Sequence, residues 1–253
     1  MTLLITGGAS GIGAETARRA AERGYSIAIN YRSRQRQAQA LIGEITNRGA
    51  KAIAVPGDVA READIARLFD TAEAALGPVT HLVNSAGIGG GDSRVEDFDA
   101  AVLAELFTVN TIGLMLCCRE AVRRMSTRRG GKGGVIVNVS SMAGTIGGRP
   151  GKSHYAASKA AVDSFSMGFA KEVAREGIRV NAIRPGMILT EMTEPGLADE
   201  TARADIESTI AMGRVGKAHE IADAILWLLS DEASLVSGTL LDVSGGGFVF
   251  GRR

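Results

Sequence analysis

Short apolar, β-branched runs recur along the chain at 2–6, 25–30, 51–55, 79–84, 134–139, 178–183 and 239–243, and stretches with apolar residues three and four apart fill most gaps between them. Short apolar runs read as buried strands, and the 3.6-residue period reads as helices that cover them. Strands that alternate with helices form parallel sheets, because a parallel pair needs a long crossover and a helix supplies it. The pattern predicts an α/β fold: a doubly wound, parallel, seven-stranded sheet with helices on both faces, in a single domain over residues 1–253. In such sheets ligands bind beyond the carboxyl ends of the strands, so chemistry is expected just after each run.

After the first run come Thr6, Gly7, Gly8, Ala9, Ser10, Gly11, Ile12 and Gly13, leading into a helix expected to start near Ala14. Glycines let the backbone turn tightly and approach a pyrophosphate, whose charge is favoured among the unpaired amides of a helix N-terminus. A Gly-x-x-x-Gly-x-Gly turn between the first strand and first helix of a βαβ unit points to dinucleotide binding and a Rossmann fold. Asp58 and Val59 follow the third run, where the aspartate either hydrogen-bonds an adenine amine or caps the next helix. Asn84, Ser85, Ala86 and Gly87 follow the fourth run, Ser140 and Ser141 the fifth, and Pro185, Gly186 and then Thr190 the sixth.

Tyr155 and Lys159 are four residues apart in a helical stretch. Positions i and i+4 share one helix face, so phenol and ammonium point the same way. A free tyrosine titrates near ~10, and a fixed positive charge lowers that value and favours the phenolate. Such a tyrosine can exchange a proton with a carbonyl oxygen. The spacing alone also fits an ordinary amphipathic helix.

The 29 basic and 28 acidic residues leave a net charge of +1, so no global field draws nucleic acid or a membrane surface. Cys117 and Cys118 are adjacent, cannot readily bridge each other and have no ligand-spaced partners for a metal, which suits buried thiols in a reducing compartment. Strand-like residues follow Met1 almost at once, and no apolar run approaches the ~18 residues that span a bilayer. A cytoplasmic protein is expected.

In this order and spacing, Thr6-Gly7-x-x-x-Gly11-x-Gly13, Asn84-Ser85-Ala86-Gly87, Asn110, Ser141, Tyr155-x-x-x-Lys159 and Pro185-Gly186 with Thr190 resemble the short-chain dehydrogenase/reductase family over essentially the whole chain. Ser85 departs from the family's usual second asparagine, and the interval from Ser141 to Tyr155 is a residue longer than in many members. The resemblance implies that Tyr155 is the general acid or base, that Lys159 lowers its pKa and holds the nicotinamide ribose, and that Ser141 binds the substrate oxygen. It further implies that Asn110 holds a water linking Lys159 to solvent, that Ile188 and Thr190 grip the carboxamide, and that the chain forms a homotetramer through helices around 100–125 and 155–175 and the C-terminal strand. The apolar ending Phe248, Val249, Phe250 fits a tail packed against another surface. His154, one position from Tyr155, is expected about 100° away around the helix, at a pocket rim or on the surface.

Relatives that prefer NAD carry an aspartate where Tyr31 stands, and here Arg32 and Ser33 follow, with Arg34 and Arg36 beyond. An arginine pairs with a 2′-phosphate, so the expected cofactor is NADP(H), with NAD(H) possible. The segment resembling the substrate lid, about 190–213, carries Glu191, Glu194, Asp199, Glu200, Asp205 and Glu207 against Arg203. An acidic lid repels an acidic carrier protein, so a free small carbonyl or alcohol is expected as substrate. The alternatives are a 3-oxoacyl-(acyl-carrier-protein) reductase and a non-catalytic dinucleotide-sensing or partner-binding protein. Arg123, Arg124, Arg128, Arg129 and Lys132 read as a solvated basic turn where cations favour a helix C-terminus.

Overall fold

The computed structural model describes residues 1–247. The expected tail Phe248, Val249, Phe250 lies outside the described residues. Nine strands are found among the described residues: β1 Thr2–Thr6, β2 Ser26–Tyr31, β3 Ala52–Pro56, β4 Val79–Asn84, β5 Gly134–Val139, β6 Ile178–Pro185, β7 Ile188–Leu189, β8 Gly216–Lys217 and β9 Leu240–Val243. The helices are α1 Gly11–Glu22, α2 Gln35–Asn47, α3 Glu62–Leu76, α4 Ala100–Phe107, α5 Leu114–Met125, α6 Ala143–Ile146, α7 Ser153–Val173, α8 Glu194–Leu197, α9 Glu200–Ser208 and α10 Ala218–Leu229.

Seven strands form one sheet in the order β3-β2-β1-β4-β5-β6-β9, every neighbouring pair parallel. The seven predicted strands are these seven, with ends moved by one or two residues. The β2 run starts at Ser26, which pairs with Thr2, and continues to Tyr31, which pairs with Pro56. Parallel pairing with β3 therefore extends it one residue toward the carboxyl edge. Helix α1 starts earlier than Ala14 because the amide of Ala14 already bonds the Ser10 carbonyl.

Alternation along the strands sorts the core into two layers. Leu3, Ile5, Ile27 and Ile29 face α1, α2 and α10, where Ala17, Leu41 and Ile225 meet them. Leu4, Ala28 and Leu82 face α3, α5 and α7 and pack with Phe69, Cys118 and Val162. Burial on both faces explains why the central strand β1 is fully buried and largely apolar.

Helices α4 and α5 are joined by a π-helical segment, Thr108–Gly113, so Ala100–Met125 runs as a single helical span. A stretch of it has mean hydropathy 1.8, long and apolar enough by composition to cross a membrane. This corrects the sequence expectation that no apolar run approaches that length. Leu106, Val109, Leu114, Cys117, Cys118, Ala121 and Met125 of this span are buried in the protein. The short pair β7 and β8, absent from the sequence reading, ties together the two ends of the excursion carrying α8 and α9: Ile188 pairs with Gly216, whose amide bonds the Met187 carbonyl at 2.9 Å.

The basic turn is more tightly paired than the sequence suggested. Arg123 and Arg124 both bind the buried carboxylate of Glu120, and Arg124 also reaches Asp70 and Glu73 while lying 5.0 Å over the Phe69 ring. Arg128 pairs with Glu176. Phe69, on α3, is wholly buried. Phe69→Ala is expected to lower unfolding free energy by about 3–5 kcal/mol, read from urea unfolding, with nucleotide affinity little changed because the residue is remote from the cleft.

Candidate functional site

Strand β1 lies between β2 and β4, so the chain leaves β1 in one direction and returns on its other side. The loops after β1 and β4 diverge there and leave a crevice. It is a cleft of about 520 Å³, and its walls include Gly7, Ser10, Gly11, Ile12, Tyr31, Arg32, Ser33, Asp58, Val59, Ala86, Gly87, Ser141, Tyr155, Lys159, Pro185, Gly186, Ile188 and Thr190. Residues spread over most of the sequence are thereby brought to one edge of the sheet.

The glycine turn is built for close approach. Gly7 has φ +63°, and a Cβ on it would lie 2.7 Å from the Ala86 Cα; Gly11 has φ +52°, and a Cβ on it would lie 3.4 Å from the Thr190 Cβ. Ser10 stands at the N-cap of α1, but its side chain makes no capping bond and no acidic residue sits in the first turn. The positive end of the helix is left to face the cleft, which fits a pyrophosphate. Gly13 has another role: a Cβ there would lie 2.6 Å from the Gly7 carbonyl oxygen, so it lets helix and turn touch and does not line the cleft.

One further expectation is corrected. Asn84 is buried behind the wall and donates to Asn138 Oδ1 at 2.9 Å, joining β4 to β5 instead of meeting the cleft. Asp58 lines the cleft but does not cap α3; its Oδ1 accepts from the Ala60 amide at 2.9 Å, and Arg61 takes the N-cap position. Asn30, which the sequence reading passed over as the end of a strand, ties the two loops together. Its Nδ2 donates to the Gly57 carbonyl at 2.8 Å and its Oδ1 accepts from the Gly7 amide at 3.5 Å. The signal was an asparagine inside an otherwise apolar run, where a buried amide needs partners.

Where β2 ends, Tyr31 is buried and no carboxylate occupies its position. Arg32 is half-exposed, 3.3 Å from Glu105 and 3.9 Å from Asp58. Arg34 also lines the cleft and lies 3.8 Å from Glu191. These loose, exposed pairs are weak and can yield to a more highly charged anion. Several acids of the 190–213 segment are likewise engaged: Asp199 caps α9, and Glu207 binds Arg203 and the Val215 amide.

Tyr155 and Lys159 share one face of α7, with the ammonium 5.9 Å from the phenol ring centroid. The Tyr155 phenol is not lowered by Lys159 as the sequence implied: burial pushes it above its ordinary value, and only the Ser141 hydroxyl pulls it back. Burial also lowers Lys159 to about 8, opposed by the carboxylate of Asp163 one turn further along. The Lys159 ammonium donates to the Val139 carbonyl at 2.9 Å. Asn110 sits in the π segment behind the wall: its Oδ1 accepts from the Ile88 amide at 2.8 Å and its Nδ2 donates to the Ile88 carbonyl and to Ser158 Oγ. A Cβ on Gly87 would lie 3.3 Å from Asn110 Oδ1 and 3.6 Å from Lys159 Nζ, so both groups face the same side-chain-free point. His154 is buried, not at the rim or surface, because the loop after β4 covers it. A phenol, a hydroxyl and an ammonium at one cleft edge can pass a proton to or from a bound oxygen.

Residues 7–247 match the family model described as Enoyl-(Acyl carrier protein) reductase. The chain is 44% identical over 244 residues to the Escherichia coli (strain K12) protein named Uncharacterized oxidoreductase YgfF, covering 96% of this chain and 98% of that one. It is 40% identical over 242 residues to the 3-oxoacyl-[acyl-carrier-protein] reductase of Bos taurus, with 96% and 95% covered. Among solved structures it is similar to a dehydrogenase/reductase from Sinorhizobium meliloti 1021, with a TM-score of 0.88, 33% identity and 97% and 94% of the two chains covered.

Below pH 8 both folded and unfolded chains keep the Lys159 proton, and the folded state bears the full burial cost, about 3 kcal/mol. As pH rises from about 8 towards the ordinary lysine value of 10.5 the folded state loses the proton first, so stability rises. Denaturant unfolding of the nucleotide-free protein across this window is expected to show that rise. In Lys159→Met the Lys159 contribution to the slope is expected to vanish.

Proposed function

The chain belongs to the short-chain dehydrogenase/reductase family, and from that membership we propose that it is an NADP(H)-dependent oxidoreductase interconverting a small carbonyl compound and its alcohol. The family places it among oxidoreductases acting on CH–OH or C=O groups. The observation that carries the finer reading is the Tyr155 phenol facing the Ser141 hydroxyl with the Lys159 ammonium over its ring.

In reduction, Tyr155 gives its proton to the substrate oxygen, and Ser141 donates a hydrogen bond to the same oxygen, stabilising the charge that develops there. Burial keeps the phenol protonated at neutral pH, the form that reduction needs. Lys159 stabilises the phenolate left behind and would hold the ribose hydroxyls, and Asn110 would hold a water that returns a proton through Lys159. The nicotinamide supplies the hydride when bound. Gly7, Ser10, Gly11 and Ile12 would cradle its pyrophosphate, Asp58 and Val59 its adenine, and Ile188 and Thr190 its carboxamide. Arg32 would take the 2′-phosphate, exchanging its exposed pair with Glu105 for a bidentate one.

Residues 190–213 act as the lid, and their acidic excess favours a free substrate over one borne on an acidic carrier. The second reading, a 3-oxoacyl-(acyl-carrier-protein) reductase, is favoured by the name of the bovine relative. The homotetramer expectation is supported by a surface between α5 and α7 where Met115, Val122 and the stacked pair Phe165 and Phe169 line a hollow and the buried Arg119 Nε has no partner among the described residues. The unbridged thiols Cys117 and Cys118 suit a cytoplasmic setting.

A carbonyl and alcohol panel followed by NADPH and NADH absorbance is expected to give turnover, with NADPH preferred. Equal or better kcat/KM with NADH would sink the cofactor reading, and much faster turnover of a carrier-borne thioester would favour the second activity. Tyr155→Phe is expected to lose about 10²–10⁴-fold in kcat with NADPH binding retained. Arg32→Ala is expected to raise KM for NADPH about tenfold and leave KM for NADH nearly unchanged, a loss of one charge-assisted contact.

A further inference from the structure

We propose that Lys152 and His154 are positioning residues that clamp a glycine strap, residues 88–91, along the edge of the cleft beside Tyr155. The strap follows the Ser85–Gly87 wall, and its first residues, Ile88 and Gly89, line the cleft. Gly89, Gly90 and Gly91 are consecutive, lie outside any helix or strand, and include φ values of +68° and +70° at the last two. Such a segment loses more chain entropy on ordering than any other sequence of its length. Something must hold it.

Every carbonyl of the strap accepts a side-chain hydrogen bond. The Ile88 carbonyl accepts from Asn110 Nδ2 at 3.0 Å, and those of Gly89 and Gly91 from Lys152 Nζ at 3.3 and 2.6 Å. The Gly90 carbonyl lies 3.2 Å from His154 Nε2. An oxygen acceptor requires the proton on that nitrogen; His154 Nδ1 is buried without a partner among the described residues, so the ring serves the strap alone. Lys152 also pairs with Asp92 at 2.6 Å, and Phe98 packs edge-on against the imidazole at 5.2 Å. The fit leaves no slack: a Cβ on Gly90 would lie 3.0 Å from His154 Nε2.

Lys152 and His154 flank the start of α7 just before Tyr155. One turn of one helix therefore presents the proton donor and fixes the wall that a substrate must pass. The glycines keep that wall free of side chains, and the clamp keeps it still. The consequence for the reaction, tighter capture of the carbonyl in line with Tyr155, rests on the oxidoreductase reading above.

The test uses the full chain, NADPH-saturated, with Lys152→Met, His154→Phe and His154→Gln, the last retaining a donor. Hydrogen exchange by mass spectrometry is expected to show the amides of 88–93 exchanging about tenfold faster in Lys152→Met and His154→Phe, one hydrogen bond's worth, with His154→Gln near wild type and α7 unchanged. With 4-nitrobenzaldehyde as probe, KM is expected to rise about tenfold in the first two variants while kcat and NADPH affinity stay within about twofold. Unchanged exchange at 88–93 would overturn the clamp. So would faster exchange spread through α7, which marks a general structural role, or a fall in kcat at constant KM. Faster exchange confined to the strap, in a protein that reduces no carbonyl of any kind, would uphold the clamp while overturning the oxidoreductase reading.

Discussion

An ammonium removed from water at the carboxyl edge of the sheet sets the terms for everything around it. Lys159 is 5% exposed, and taking such a charge out of water costs several kcal/mol unless donors and acceptors are arranged for it. The arrangement draws in four separate parts of the chain. The end of β5 supplies the Val139 carbonyl for Nζ, and Ser140 Oγ donates to the Lys159 carbonyl. Gly144 brings α6 against the same turn, where a Cβ would lie 2.9 Å from the Ala160 amide nitrogen. Gly87 leaves open the point that Asn110 Oδ1 and the ammonium both face. The lowered affinity of Lys159 for its proton follows from this burial, and it makes the residue able to exchange a proton near neutrality.

The fold was legible because its determinants are local. The central strands are covered on both faces by helices, so they show as largely apolar runs, and the crossover helices show as intervals of the right length. The glycine turn and the Tyr155–Lys159 pair were legible for the same reason: their geometry is fixed within eight residues by a turn or a helix period. Strand ends were less so. The start of β2 is set by pairing with β1 and its end by pairing with β3, a property of three segments that no single one displays.

What could not be read was whatever depends on a partner distant in the chain. The helix period places His154 away from Tyr155, and exposure was inferred from that; the strap that buries it comes from residues 88–91, more than sixty positions earlier. Asn84 directly precedes the cleft-wall residues Ser85, Ala86 and Gly87, but its position in β4 turns it toward Asn138. The basic run looked solvated because its acids, Glu120, Asp70, Glu73 and Glu176, lie on other turns and other helices. Charge counts along a sequence record which groups are present, and pairing is decided by tertiary contact.

The buried polar groups explain why the catalytic face of α7 holds its register. An apolar helix face on an apolar sheet face is non-directional, and a slip of one residue would turn Tyr155 by about 100° away from Ser141. Hydrogen bonds are directional and resist that slip. Asn138 on β5 donates to Ser166 Oγ at 2.9 Å, and Asn110 in the π segment donates to Ser158 Oγ at 3.1 Å. Ser158 and Ser166 stand two turns apart on one side of α7 and are each wholly buried. Any rotation of the helix would leave these groups unpaired in a dry interior, at about 1–3 kcal/mol apiece. The polar pins thus select one register from the several that hydrophobic packing would tolerate, and in that register the phenol faces the cleft.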